Sequence, residues 1–248
     1  MIEIKNQIEI EKMRKAGKIV HEAHKAIKKA IKPGMSTYDI DQIGKKEVQK
    51  HGAKLAFKGY GGFPGNICVS VNEEVVHGIP SKEKIIKSGD IVSVDIGSYI
   101  GGYYGDAART HAVGEVSEKA KELIEVTKQS FFEGIKFAKV GNRLSDISHA
   151  IQKYCEKHGF SIVRNYVGHG IGRKLHEPPQ IPNFGKPGRG PRLQKGMVLA
   201  IEPMVNIGDY KVKTLKDNWT VVTIDNSLSS HYENTIVITD AEPEIITW

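Results

Sequence analysis

Two segments of this chain repeat each other at a constant offset, and each segment ends in a carboxylate. Adding 107 to each number turns Gly89-Asp-Ile-Val-Ser-Val-Asp95 into Gly196-Met-Val-Leu-Ala-Ile-Glu202. Upstream, the same offset maps Lys50-His-Gly52 onto Lys157-His-Gly159. An ungapped register of this length predicts two copies of one unit, each with an acid on an apolar strand. Acids on core strands are costly unless a positive group meets them.

The composition sets the class of protein. The chain has 248 residues, with 39% apolar and 26% charged residues, which is ordinary for a soluble domain with a sizeable core. The repeat favours one domain, residues 1–248, with halves at roughly 1–114 and 115–248. The two cysteines lie far apart in sequence, which indicates a reducing compartment. Without a secretory signal or a run of about twenty apolar residues, we expect a cytoplasmic protein and no membrane.

The net charge of +7 has two interpretations. It could serve a polyanionic partner such as RNA or a ribosome surface. The lysines near the N-terminus fall mostly on the polar side of one predicted helix, and no aromatic residues interleave with them to stack on bases. A solvated basic face is therefore the simpler interpretation.

Apolar periodicity predicts a pair of helices followed by strands in each half. Asn6 and Glu9 form a capping box for a first helix that ends at Pro33-Gly34. A second helix begins at Ser36 or Thr37 and stops at Gly52. The pattern returns with helices over 117–138 and 144–159. Alternating apolar residues predict strands over 67–71, 91–96, 103–113, 162–167, 197–205, 219–224 and 231–239.

Asp95 and Asp106 flank a turn signal at Gly101-Gly102. If the strands fold back as a hairpin, the two acids come out nearly opposite, and directly opposed like charges destabilise a strand pair. Either a raised pKa lets them share a proton, or a cation lies between them.

The repeat adds two acids to this pair. Glu202 occupies the position of Asp95 in the other half, and Glu233 follows it as Asp106 follows Asp95. The spacing is 11 residues in the first half and 31 in the second, so the second hairpin needs an insertion of about twenty. Four inward carboxylates without metal would be severely destabilising, and two divalent cations would neutralise them. An oxygen-rich donor set suits Mn, Fe or Co.

Three histidines lie beside glycines in this background of acids. His77-Gly-Ile echoes His169-Gly-Ile, and His176 follows the second copy. An imidazole can bind a metal or donate a hydrogen bond to a reacting carbonyl. We assign His21, His24, His51, His111, His158 and His231 to the surface or to packing.

Together these motifs resemble the type I methionine aminopeptidases, in their short bacterial form, over almost the whole chain. The resemblance rests on these residues: His77, Asp95, Asp106, Gly168-His169-Gly-Ile-Gly172, His176-Glu177, Ile201-Glu202-Pro203 and Glu233-Asn-Thr. It implies an α+β protein with the pita-bread (creatinase/aminopeptidase) fold, in which a curved antiparallel sheet is flanked by two helix pairs. The expected activity is removal of the initiator methionine from nascent polypeptide N-termini when the second residue is small.

The resemblance also implies a role for each matched residue. Asp95 and Asp106 would hold one metal, and Asp106, His169, Glu202 and Glu233 the other. The metals (Co, Mn or Fe(II)) would activate water. Glu202 would act as general base, His176 would contact the scissile carbonyl, and His77 would contact the backbone after methionine.

The methionine side chain would enter an apolar pocket. The matched positions are Tyr60, Phe63, Cys68 and Trp219, and sulfur against aromatic rings suits a thioether. Leu175 stands where many relatives have an aromatic residue, which softens one wall. Because Ile2 is bulky, we expect the enzyme to keep its own Met1.

Two other functions stay open at this point. One is an X-Pro aminopeptidase-like enzyme of the same fold, and the other is a non-catalytic module that binds the ribosome, nucleic acid or histones. We expect a monomer, with docking of the basic face near the ribosome exit tunnel as a further hypothesis.

Overall fold

A computed structural model describes residues 1–248. Its four long helices are α1 (Gln7–Ala30), α2 (Thr37–Lys50), α3 (Glu118–Ile135) and α4 (Leu144–Lys157). None of them is long and apolar enough to cross a membrane. α1 packs against α2 and α3 against α4, so each half contributes one helix pair.

The strands of the first half are β1 (Lys54–Leu55), β2 (Cys68–Val71), β3 (Glu74–Val76), β4 (Ile91–Ile100) and β5 (Tyr103–Ala112). The second half adds β6 (Ser161–Ile162), β7 (Gly168–Gly170), β8 (Glu177–Ile181), β9 (Val198–Ile201), β10 (Met204–Asn206), β11 (Val212–Thr214), β12 (Val221–Thr223), β13 (Ser229–His231), β14 (Asn234–Val237) and β15 (Glu244–Ile245). Every pairing between them is antiparallel, as in β4 with β5 and β9 with β14.

Local sequence explains where the helices begin. The Asn6 side chain accepts from the Glu9 N–H at 3.0 Å, and the Glu9 carboxylate accepts from the Asn6 N–H at 2.9 Å. The same reciprocal box joins Ser36 and Asp39. These bonds satisfy N–H groups that a helix start leaves unpaired.

The helix predictions agree with the structure within a few residues. The predicted strands are less accurate, because two of them are interrupted. Residues 197–205 divide into β9 and β10 around Glu202-Pro203, and residues 231–239 divide around Tyr232-Glu233. In both places the interruption carries a glutamate that faces the centre of the molecule. Residues 162–167 form only a short strand, β6, before β7.

The insertion predicted for the second half forms a hairpin of its own. β11 pairs with β12, and β12 pairs with β3 of the first half, next to His77. The insertion therefore crosses between the halves instead of extending the second hairpin.

Candidate metal centre

The long β4–β5 hairpin positions the two aspartates. Its turn at Gly101-Gly102 pairs Asp95 with Ala108 and Gly97 with Asp106. The two acids are therefore diagonal neighbours, two positions apart, which agrees with the nearly opposite placement expected from the sequence. Residues two apart lie on the same face of a sheet, so both carboxylates line one cavity.

Glu202 and Glu233 enter the same cavity from the second half. Glu233 is fixed by reciprocal backbone hydrogen bonds with Ala108, with N–O distances of 3.0 and 3.3 Å. The Thr235 hydroxyl donates to the Asp106 carbonyl at 2.8 Å. The strand that carries Asp106 is thus tied directly to the segment that carries Glu233.

All four carboxyl groups have raised pKa values. Burial raises the pKa of Asp95 to about 7. Burial, and then the charges of Asp95 and Glu202, hold the pKa of Asp106 well above its ordinary value. Burial and the other acids do the same for Glu202 and Glu233. Without a cation, this cluster is stable only when protons replace part of its charge.

His169 completes the cluster. One ligand atom each from Asp106, His169 and Glu233 lies within 4.8 Å of the others. Nδ1 of His169 donates to the Gly170 carbonyl at 2.9 Å, so in the neutral ring the lone pair belongs to Nε2, which lies 3.5 Å from Glu202 Oε1. Burial lowers the pKa of His169 to about 3. A neutral imidazole oriented by a backbone carbonyl is the form that binds metals.

The donor set fits divalent cations. Asp95 Oδ1, Asp106 Oδ1 and Glu233 Oε1 are buried and have no hydrogen-bond partner. Buried polar atoms normally have partners, and a cation would satisfy all three. Four carboxylates and one imidazole suit Mn, Fe or Co better than a thiolate-rich site would.

The two remaining histidines lie at the mouth of the same cavity. His176 Nδ1 is 2.8 Å from the Tyr60 hydroxyl, and its ring centroid is 4.2 Å from that of His169. His77 has a φ of +61°, a left-handed conformation that is uncommon for a side-chain-bearing residue. Burial and the neighbouring His176 lower the pKa of His77 to about 4, and burial also lowers the pKa of His176, so both rings are available as neutral hydrogen-bonding groups.

The cavity has a volume of about 220 Å³. That is below the range of about 300–1,000 Å³ for drug-sized ligands, and it suits a single side chain. The predicted pocket residues Tyr60, Phe63, Cys68 and Trp219 all line it. The rings of Phe63 and Trp219 meet edge to face at 5.2 Å.

The structure adds residues that the sequence prediction missed. Phe57 lines the apolar end beside Leu175. His231, which we assigned to the surface or to packing, is buried with Nε2 4.0 Å from Glu202 Oε2. The prediction missed His231 because no local sequence pattern marks the interruption between β13 and β14. The only available signal was that His231 lies two residues before Glu233.

The comparisons with known proteins agree with this geometry. The model of Metallopeptidase family M24 matches residues 11–240. The chain belongs to this metallopeptidase family. Membership implies use of a divalent metal, in keeping with the donor set described above.

Two relatives match this M24 peptidase along its length. A methionine aminopeptidase of Clostridium acetobutylicum is 59% identical over 247 residues, which cover 100% of this chain and 99% of that protein. A crystal structure of methionine aminopeptidase from Thermotoga maritima is 54% identical with a TM-score of 0.98, covering 100% of this chain and 99% of that one. The expected resemblance to the short bacterial type I enzymes is confirmed.

A more distant structure shows the fold alone. Prolidase from Pyrococcus furiosus is 24% identical, with a TM-score of 0.81 over 99% of this chain and 65% of that one. Together with the close relatives, it confirms the α+β pita-bread fold expected for this M24 peptidase.

Proposed function

We propose that this M24 peptidase removes the N-terminal methionine from polypeptides whose second residue is small. The observation that carries the proposal is the shared cavity: four carboxylates and His169 at one end, and Phe57, Phe63, Cys68 and Trp219 at the other. The cavity therefore places the candidate metal ligands next to an apolar pocket for one side chain. Cleavage of the peptide bond that follows an N-terminal methionine requires this arrangement.

The proposed ligands come from both halves. Asp95 and Asp106 would hold one ion, and Asp106, His169, Glu202 and Glu233 a second, with Asp106 and Glu233 shared. When bound, divalent ions polarise a carbonyl and lower the pKa of water. We propose Mn, Co or Fe(II) as the metal.

Glu202 is the proposed general base. It accepts the proton of the attacking water and later passes it to the leaving amine. His176 donates a hydrogen bond to the scissile carbonyl, where negative charge develops. Because Nδ1 of His176 contacts the Tyr60 hydroxyl, the opposite ring nitrogen is free to turn toward the substrate. His77 contacts the backbone of the second residue.

The apolar pocket selects methionine. Cys68 is buried and pairs with Asp95 across β2 and β4, which places the apolar end beside the carboxylates. Edge-to-face rings around a thioether add stabilisation beyond burial. Leu175, at 2% exposure, closes the pocket with an aliphatic surface.

The setting of the enzyme follows from the same features. We propose that residues 1–248 form one catalytic domain with pseudo-symmetric halves at roughly 1–114 and 115–248. Both cysteines are free and buried, which suits the cytoplasm. We propose a monomer that acts on nascent chains, with its basic face docking near the ribosome exit tunnel.

A peptide assay tests the proposal. Purified enzyme with Mn(II) should hydrolyse Met-Ala-Ser rapidly, Met-Ile-Ser poorly and Ala-Pro-Ser not at all. Preference for the Ala-Pro peptide would make it an X-Pro aminopeptidase, and failure on all three would leave a non-catalytic module. Intact-mass measurement of the native protein should show that Met1 is kept.

A further inference from the structure

A second cavity lies apart from the metal centre, between α1 and α3 and above β5 and β13. Its volume is about 290 Å³. Among the residues of its walls are His24, Lys28, Arg109, His111, Lys128 and Trp248. It shares no lining residue with the cavity of the four carboxylates, although Tyr232 in its wall directly precedes Glu233.

The charge of this cavity is one-sided. Lys25, Lys28, Lys128 and Arg109 line it, and no aspartate or glutamate does. Lys25 contacts Glu22 at 3.3 Å, but Lys28 and Lys128 have no carboxylate partner. Like charges gathered in a concave, partly desolvated site repel one another, and a bound anion relieves that repulsion.

Arg109 forms the floor of the cavity. Its guanidinium donates to the Ala108 and Glu233 carbonyls and, at 2.6 Å, to Asn234 Oδ1. No carboxylate neutralises it, and it lies 4.5 Å from the Tyr232 ring centroid. Arg109 therefore contributes a fixed, half-buried positive charge.

Buried imidazoles in the walls have unused nitrogens. His24 is 5% exposed; its Nε2 donates to the Ala107 carbonyl at 2.8 Å, and its Nδ1 has no partner. His111 Nε2 is also buried without a partner. After burial, the charges of Arg109 and Lys28 help to lower the pKa of His111 to about 4. A buried polar atom without a partner indicates a missing ligand or water.

We propose that this cavity binds a small phosphate-bearing anion. Two free lysines supply charge at the rim, Arg109 supplies it at the floor, and the imidazole of His111 supplies a donor at the side. Ammonium and imidazole N–H groups surrounding an anion form charge-assisted hydrogen bonds, the strongest type in proteins. The volume accommodates inorganic phosphate or the phosphate end of a nucleotide whose base stacks on the exposed Trp248.

Isothermal titration calorimetry of the metal-loaded enzyme with inorganic phosphate tests the proposal. The test variant is Lys28→Gln with Lys128→Gln. Its matched control is Lys45→Gln with Lys46→Gln on α2, which removes the same charge from one exposed and one half-buried lysine. Undiminished phosphate binding in both variants would place the phosphate at the metals and overturn the proposal.

We expect binding by the wild type and by the control, and affinity at least about tenfold weaker in the test variant, because it loses two charge-assisted hydrogen bonds to the anion. Equal loss in both variants would show non-specific charge attraction and overturn the proposal. The absence of any binding at about 10 mM phosphate, above the range of even a weak site, would also overturn it.

The source of the phosphate is distinguished by further titrations with AMP and adenosine. Tighter binding of AMP than of phosphate, lost in Trp248→Ala, would identify a nucleotide. Equal binding of AMP and phosphate would identify inorganic phosphate. Binding of adenosine with the affinity of AMP would contradict phosphate recognition altogether.

Discussion

The two halves of the molecule share their helices and differ in their strands. α2 and α4 have identical lengths, and Thr37 and Lys50 correspond to Leu144 and Lys157 at the offset of 107. β4, by contrast, runs unbroken for ten residues, whereas its counterpart stops at Ile201 and resumes after Pro203 as β10. The helix pairs thus keep the duplicated scaffold, and the departures from symmetry lie at the metal centre.

The insertion in the second half shows what such a departure can contribute. The β11–β12 hairpin pairs with β3 and brings Trp219 to 6.4 Å from His77, measured between ring centroids. The first half has no equivalent of this hairpin. The acids follow the repeat, and the proposed methionine pocket depends on the part of the chain that breaks it.

The largest effect on activity is expected for Asp106 and Glu233, the two acids proposed to be shared by both metal ions, one from each half. Asp106→Asn and Glu233→Gln should each lower kcat/KM for Met-Ala-Ser by more than about 100-fold, since even residues that only support metal ligands cost about 10–100-fold. Metal content should fall in parallel. Glu115→Gln, an exposed carboxylate at the boundary between the halves, is the control and should change nothing. Full activity in either variant would disprove the shared-ligand assignment.

Asp95 and Glu202 occupy matching positions in the two halves, and substitutions of them should affect activity in different ways. Glu202→Gln should lower kcat by about 10²–10⁴-fold even at saturating metal, because it removes the general base. Asp95→Asn should weaken metal binding and recover activity as Mn(II) is raised. The measurement is kcat as a function of Mn(II) concentration for both variants. An identical response would show that the two residues do not differ in role.

The raised pKa values predict how stability depends on pH. The folded pKa of Asp95 is about 7, above its ordinary 3.8, so the folded state binds the proton more tightly than the unfolded state. That contribution is fully present below pH 3.8 and is lost as pH rises through 7.

Metal-free protein should therefore lose about 5 °C in Tm between pH 5 and 7.5, on the order of 2 kcal/mol for a chain of this size. The Tm of metal-saturated protein should not fall over this pH range, because the cations stabilise the ionised carboxylates. Calorimetric scans of both forms test this. A metal-free Tm that rises with pH would mean that the acids are not gathered as described.

The smallest effect concerns the helix caps. The Ser36 hydroxyl accepts from the Asp39 N–H at 3.1 Å, whereas Arg143, at the matching position, has no side-chain acceptor for the start of α4. Ser36→Ala should cost about 1 kcal/mol of unfolding free energy, and Arg143→Ala only a few tenths. Urea denaturation measures both, and equal costs would show that the caps do not differ.

Local patterns predicted the parts of the fold that depend on near neighbours. The capping boxes, the helix periods and the Gly101-Gly102 turn all act within a few residues, so α1 to α4 and the β4–β5 hairpin were predicted within a few residues. Register was predicted only approximately: Asp106 lies opposite Gly97, two positions from Asp95, because the Gly101-Gly102 turn is centred one residue beyond the midpoint between the two acids.

Contacts between distant segments could not be predicted. His231 approaches Glu202 because Tyr232-Glu233 interrupts a strand. Arg109 donates a hydrogen bond to the Glu233 carbonyl, although the two residues are 124 positions apart in sequence. Nothing in either local sequence specifies these contacts. That the four acids gather in one cavity was predictable, because four acids on apolar strands are too costly to be accidental.

Calorimetric titration of chelator-treated protein with Mn(II) tests the central claim, that cations make the buried acid cluster tolerable. The account predicts uptake of two ions per chain by the wild type, recovery of Met-Ala-Ser hydrolysis with the same titration, and neither in Asp106→Asn. A wild-type protein that takes up no Mn(II) or Co(II), and whose Tm is unchanged by either, would contradict it.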